Sequence, residues 1–191
     1  GTYDKNREFI LTTSPSMDIL VSSNLERLLY LSCGRDAAKT KELMEQLSKN
    51  GKYEITPEMK EFMKDFSAGY ADMEENAKEI KKVFDDTGYL IDTHTGVAAA
   101  VYEQYKAKTG DTTKTVIAST ASPYKFSRSV MEAVLGKKKD ADEFALIDEM
   151  ERISGVKIPQ AIEEIRDAKI LHNRQCKPEE MEETVKQTFS K

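Results

Sequence analysis

Hydroxyl and amide side chains gather at three points of this chain where a turn meets an apolar run, and each point can hold a polar ligand. The first runs Ser14-Pro15-Ser16-Met17-Asp18-Ile19-Leu20-Val21-Ser22-Ser23-Asn24-Leu25-Glu26-Arg27. Here a turn at Ser14-Pro15 leads to the apolar run Ile19-Leu20-Val21, then to the corner Ser22-Ser23-Asn24, then to an amphipathic helix. Ser23 with Glu26 three residues on has the spacing of a capping box, which satisfies two backbone groups and leaves other first-turn N–H groups free. Such a corner can take an anion, with Arg27 adding a planar cationic fork. The plainer role for the same serines is helix capping alone.

The second point follows Thr115-Val116-Ile117-Ala118, which reads as a short, β-branched, buried strand. Ser119 and Thr120 end it before the turn Ala121-Ser122-Pro123. In open α/β sheets ligands collect outside the carboxyl ends of strands, where these two hydroxyls would fall. A hydroxyl-rich turn that caps the next helix is the alternative. The third point is Asp92-Thr93-His94-Thr95-Gly96. Asp92 stands at a cap position, so His94 lies at a helix N-terminus, either bonded to the Asp92–Thr95 region or touching a ligand.

Helices must carry these points. Asp36 caps a helix that runs to Asn50 and stops at Gly51, with Leu43, Met44 and Leu47 on one face. Thr56-Pro57 opens a second, whose stripe is Phe62, Met63 and Phe66. Asp72 with Glu75 opens a third, with Ala77, Ile80, Val83 and Phe84 facing inward and Gly88 as its stop. After Asp92, small residues at 97–100 allow close packing until Gly110. Residues 140–154 and 159–168 have helical periods, Lys169–His172 reads as extended, and Pro178 opens a last helix with Met181, Val185 and Phe189 in its stripe. Helix, strand and helix in succession give an α/β, helix-rich fold.

The 191 residues carry 29 basic and 34 acidic side chains, for a net charge of −5. With no basic stripe interleaved with aromatics, a nucleic-acid partner is not expected. The run Lys137-Lys138-Lys139, followed by Asp140 and Asp142, reads as a solvated loop. No apolar stretch approaches the roughly 20 residues of a membrane span. Cys33 and Cys176 are too few for a disulfide framework and fit a reducing, cytoplasmic setting. A metal site is not expected, because His172 and Cys176 would need ligands from distant segments. The nine glycines are scattered, so no glycine-rich phosphate loop exists. Gly1-Thr2-Tyr3-Asp4 reads as a cut into a longer polypeptide.

As strings, the three points are more specific. Residues 14–27 closely resemble the S-P-S-M-D-I-x-x-S-S-N-x-E-R stretch of threonine synthases. Residues 119–126 are similar to that family's S-T-A-H-P-x-K-F motif, with Ser122 where many relatives have His. Asp92–Ala98 resembles D-P-H-T-A-V-G, with Thr93 in place of proline, and Gly1–Asp4 resembles the T-G-x-Y-D segment entered midway. The resemblance implies part of a fold-type II (tryptophan synthase β-like) large domain that binds pyridoxal 5'-phosphate. Residues 1–35 and 88–136 would belong to that domain, 36–87 to a three-helix insertion and 137–191 to a helical C-terminal region. It implies a full-length enzyme that converts O-phospho-L-homoserine and water to L-threonine and phosphate.

Residue by residue, the resemblance gives Thr120 the pyridine nitrogen of the cofactor, with Ser119 as its neighbouring possibility. It gives Ser22, Ser23, Asn24, Arg27 and His94 to the substrate. No lysine here matches the family's Schiff-base motif, so that lysine and the phosphate cradle are expected in an N-terminal half, and this segment alone should be inactive. It should also expose surface that invites self-association. Two other readings stay open: a threonine-synthase-like phospho-lyase that releases 2-oxobutyrate, and a non-catalytic helical interaction module.

Overall fold

Cap chemistry sets most of the element boundaries. The computed structural model describes residues 1–190. Asp36 accepts from the Lys39 N–H to start α2 (Ala37–Asn50), and Gly51, at φ 75°, ends it. Thr56 accepts from the Met59 N–H at the start of α3 (Pro57–Phe62). Asp72 and Glu75 form a full capping box on α4 (Met73–Thr87), which stops at Gly88. Asp92 accepts from the His94 and Thr95 N–H groups at the head of α5 (Thr93–Thr109). Each cap satisfies donors that the helix itself leaves orphaned. The remaining helices are α1 (Leu25–Ser32), α6 (Ser127–Leu135), α7 (Glu143–Ser154), α8 (Gln160–Arg166) and α9 (Met181–Phe189). Short 3-10 turns open at Pro15, Pro123 and Pro178. Among the described residues the only sheet pairs β1 (Thr2–Asp4) with β2 (Lys52–Glu54), antiparallel, with Tyr3 opposite Tyr53.

The chain divides into two units, Gly1–Lys157 and Ile158–Lys191. In the first, Leu29 of α1, Leu43 and Leu47 of α2, Tyr53 of β2 and Met59 of α3 make one apolar cluster. Elsewhere in that unit α4 packs on α5 and α6, and α6 on α7. Ile80, Val130, Met131, Leu146 and Met150 are buried there. Each such side chain contributes on the order of 1.5–3 kcal/mol. Gly96 lets α5 approach α4, because a Cβ on it would lie 2.2 Å from Asn76 Oδ1 and 2.8 Å from Ile80 Cγ1. In the second unit, α8 and α9 bury no residue completely.

Several expectations are corrected. Ser23 and Glu26 form no capping box: α1 begins after Asn24, which is itself helical and makes no side-chain cap bond, while the Leu25 N–H turns back to the Ser22 carbonyl. Thr115–Ala118 is not a strand, and Val116 is 94% exposed. A strand needs a partner for its N–H and C=O groups, and among the described residues none runs beside it. Lys169–His172 has no regular structure. Phe62 and Phe66 are exposed while Met59 takes the buried place, and Met181, Val185 and Phe189 are exposed along α9. In the lysine run, Lys139 is half-buried against Glu149. Its ammonium holds the Glu149 carboxyl below the usual range.

Candidate functional site

The N-terminus of α5 is where segments far apart in sequence meet. Asp92 is fully buried. Its Oδ1 accepts the His94 N–H at 2.7 Å and the Thr95 N–H at 3.4 Å, and lies 3.1 Å from His94 Nδ1. Its Oδ2 lies 2.5 Å from Thr95 Oγ1. The turn after Ser14 seats itself on this end. Ser14 donates through its hydroxyl to the Thr93 carbonyl at 3.0 Å, across 79 residues of sequence. The Ser16 N–H donates to His94 Nε2 at 3.3 Å. A backbone N–H can only donate, so Nε2 carries the lone pair and the ring proton sits on Nδ1, facing Asp92. The Phe126 ring packs on the imidazole with centroids 4.8 Å apart. From the other side Ser119 Oγ comes to 3.0 Å from Thr95 Oγ1.

Asn76 of α4 completes the support. It is buried, and its Nδ2 donates to Ser14 Oγ at 3.4 Å and Thr13 Oγ1 at 3.5 Å. Its Oδ1 has no hydrogen-bond partner among the described residues. The α5 backbone closes over this oxygen at Gly96, where a Cβ would lie 2.2 Å from it. Beside the cluster lies a cavity of about 660 Å³ whose walls include Ser14, Asp18, Tyr70 and Val97. No group of three or more His, Cys, Asp or Glu among the described residues is arranged to hold a metal ion.

Of the residues expected at a site, His94 and Ser119 stand in this cluster. Thr120 follows Ser119 directly, is exposed, and makes no hydrogen bond among the described residues. The corner at 22–27 is tied elsewhere. The Ser22 N–H donates to the Tyr3 hydroxyl at 2.8 Å, and Arg27 Nη2 donates to Asn24 Oδ1 at 2.7 Å. Ser23 and Arg27 line a groove of about 640 Å³ with Tyr30, Thr40, Lys41 and Met44. Among the described residues no hydrogen bond joins 22–27 to the α5 cluster. Spacing does not single out Asp92, Thr95, Ser14, Ser16 or Asn76 as site residues. A cap aspartate followed by His and Thr within one turn is the available signal for the first two. Nothing local marks Asn76.

By fold this is part of a pyridoxal-phosphate-family fold-type II protein. It superposes on the crystal structure of PLP-bound threonine synthase from Brucella melitensis with a TM-score of 0.64 and 34% identity, covering 82% of this chain and 32% of that one. The yeast threonine synthase crystal structure gives 0.65 and 30%, covering 82% and 34%. Residues 95–186 match the family model "Threonine synthase, C-terminal". The chain is 32% identical over 190 residues to threonine synthase of Saccharomyces cerevisiae, covering 91% of this chain and 37% of that protein. To threonine synthase-like 1 of Homo sapiens it is 35% identical over 136 residues, covering 70% and 18%. The chain belongs to the threonine synthase family, and it spans only 37% and 18% of the length of these two relatives.

Proposed function

We propose that the chain is the C-terminal part of a pyridoxal-phosphate-dependent carbon–oxygen lyase of the cytoplasm. That enzyme converts O-phospho-L-homoserine and water to L-threonine and phosphate. The observation that carries this reading is the convergence of three family-like segments, 14–18, 92–96 and 119–126, on the head of α5. The residues present suit the cofactor. A pyridine nitrogen needs one donor in its plane, and the unpartnered Thr120 hydroxyl supplies it, with Ser119 beside it. When bound, the cofactor acts as an electron sink for the carbanions of elimination and water addition. His94, buried with its ring nitrogens held by Asp92 and Ser16, shapes the substrate site from beneath. Ser22, Ser23, Asn24 and Arg27 bind the substrate phosphate through hydroxyl, amide and guanidinium donors.

In the full-length protein, residues 1–35 and 88–136 belong to the cofactor-binding domain, 36–87 form an insertion and 137–191 a helical C-terminal region. The Schiff-base lysine comes from the N-terminal half, which is this segment's natural partner; without it the segment is inactive and prone to self-association. The similarity to threonine synthase-like 1 supports a second reading, a phospho-lyase that releases 2-oxobutyrate. Product analysis decides. Full-length protein supplied with O-phospho-L-homoserine should release threonine and phosphate in equal amounts, and 2-oxobutyrate with phosphate would establish the second reading instead. Arg27→Ala should raise KM tenfold or more, since a charge-assisted bond is worth roughly 1.5–3 kcal/mol. An unchanged KM in a folded variant removes Arg27 from the phosphate site.

A further inference from the structure

The hydroxyl of Tyr3 closes a gap that the backbone leaves open. It donates to the Leu20 carbonyl at 3.0 Å and accepts the Ser22 N–H at 2.8 Å. A phenol has one proton to give, and here it goes to the carbonyl while a lone pair takes the amide. Leu20 and Ser22 are half-buried, in a stretch that belongs to no helix or strand. The ring hydroxyl therefore does on either side of Val21 what a neighbouring strand would do.

The bend is passed on to the start of α1. The Ser22 carbonyl accepts the Leu25 N–H at 3.2 Å, so Ser22 is tied through both its N–H and its carbonyl. Its hydroxyl makes no hydrogen bond among the described residues. Two residues on, Asn24 Oδ1 holds Arg27 Nη2 at 2.7 Å, and Ser23 and Arg27 face the groove of about 640 Å³. Tyr3 itself has little freedom. Its ring stacks on Tyr53, which is 5% exposed and packs in the cluster with Leu29, Leu43, Leu47 and Met59. On either side of Tyr3, the Gly1 carbonyl accepts the Ile55 N–H at 2.9 Å and the Lys5 N–H donates to the Gly51 carbonyl at 2.8 Å. Moving the hydroxyl means losing the stack and the strand pairing together.

We propose that Tyr3 is a positioning residue for the corner at 22–27: its hydroxyl sets the Leu20–Ser22 bend, and with it the placement of Ser22, Ser23, Asn24 and Arg27 around an anionic substrate group. For the identity of that anion this rests on the O-phospho-L-homoserine reading above. Because Tyr53 lies within 36–87, that segment shapes substrate binding without touching substrate.

The test uses the full-length protein with pyridoxal phosphate bound. Tyr3→Phe keeps the ring on Tyr53 and deletes only the hydroxyl. Hydrogen exchange reads the bend without substrate: the Ser22 amide should exchange about tenfold faster in Tyr3→Phe while the α2 amides stay unchanged. A Ser22 amide that exchanges alike in both proteins overturns the proposal. Steady-state kinetics reads the consequence. The KM for O-phospho-L-homoserine and the inhibition constant of inorganic phosphate should both rise about three- to tenfold, as loss of neutral hydrogen bonds predicts, with kcat within about twofold of wild type. Tyr53→Phe removes a hydroxyl from the same stack but not from the bend, and should leave both constants alone. An equal rise in Tyr53→Phe assigns the effect to strand stability and overturns the proposal. So does a Tyr3→Phe protein with a lower thermal midpoint but unchanged KM and phosphate inhibition, which is what a purely structural Tyr3 predicts. Arg27→Ala separates this proposal from the reading beneath it. If Arg27→Ala raises both constants and Tyr3→Phe raises neither, the positioning role falls and the phosphate site stands. If neither variant moves them, both fall.

Discussion

Single side chains reveal how local environment sets both chemistry and pH response. Tyr53 stacks on Tyr3 with ring centroids 5.5 Å apart and planes 16° from parallel. Burial, followed by the neighbouring Tyr3, pushes the Tyr53 phenol up to about 12 from its ordinary 10. Between those values the folded chain keeps a proton that the unfolded chain has lost. The stabilisation is therefore complete below pH 10 and disappears as pH rises toward 12. A rise of that size corresponds to roughly 2–3 kcal/mol. Tyr53→Phe keeps the stacked ring and removes the ionisation. Urea unfolding at about pH 9 and about pH 11.5 should show wild type losing more stability than the variant over that interval, and equal losses would mean that the phenol is solvated. At the same scale, His94 and Ser119 can be picked out from residue type and motif. Their joining through Asp92 and Thr95 cannot, because the Thr95–Ser119 contact spans 24 residues of sequence. Hydrogen-bond direction within the cluster is a property of three-dimensional packing and leaves no trace in spacing.

Elements are legible where a cap and a stop both stand in the sequence. Asp36 with Gly51, Asp72 with Gly88 and Asp92 with Gly110 all bound the helices expected of them. The failed capping box at Ser23 has the right spacing, but spacing does not fix backbone angles, and Asn24 adopts φ −66°, ψ −31°, already helical. The contrast is measurable. Asp72→Ala removes an acceptor of the Glu75 N–H and should cost about 1 kcal/mol, while Ser23→Ala removes no cap bond and should stay within about 0.5 kcal/mol. Urea midpoints that fall equally for both would restore Ser23 to a capping role. The α4–α5 contact sets a harsher limit. Gly96→Ala drives a methyl group against Asn76 Oδ1 and Ile80, so these buried side chains or the helix that carries them must shift. Overpacking of this kind costs typically about 1–3 kcal/mol, and it also displaces the Asn76 bonds that hold Ser14. A Gly96→Ala protein as stable as wild type would show that the side chains or helices at this contact give way without cost.

Across the whole molecule, apolar residues divide between those the chain buries and those it leaves exposed. The strand expected at Thr115–Ala118 fails for this reason: β-branched residues announce burial, but pairing is a long-range fact that no window of sequence contains. The same holds for the stripe of α9, where Met181, Val185 and Phe189 are 58%, 54% and 83% exposed. Helices of 7 and 9 residues, such as α8 and α9, are marginal by themselves, since nucleation is costly and few bonds follow it. Helix α6 also has 9 residues but buries Val130, Met131, Ala133 and Val134. Length is thus held constant while burial differs, which isolates the contribution of packing. Hydrogen exchange on the chain should show α6 amides opening only near the global unfolding free energy, and α9 amides exchanging orders of magnitude faster through local fraying. Equal protection of α6 and α9 would mean that packing partners cover the α9 stripe in solution, and its exposed residues would then have to be reassigned to an interface.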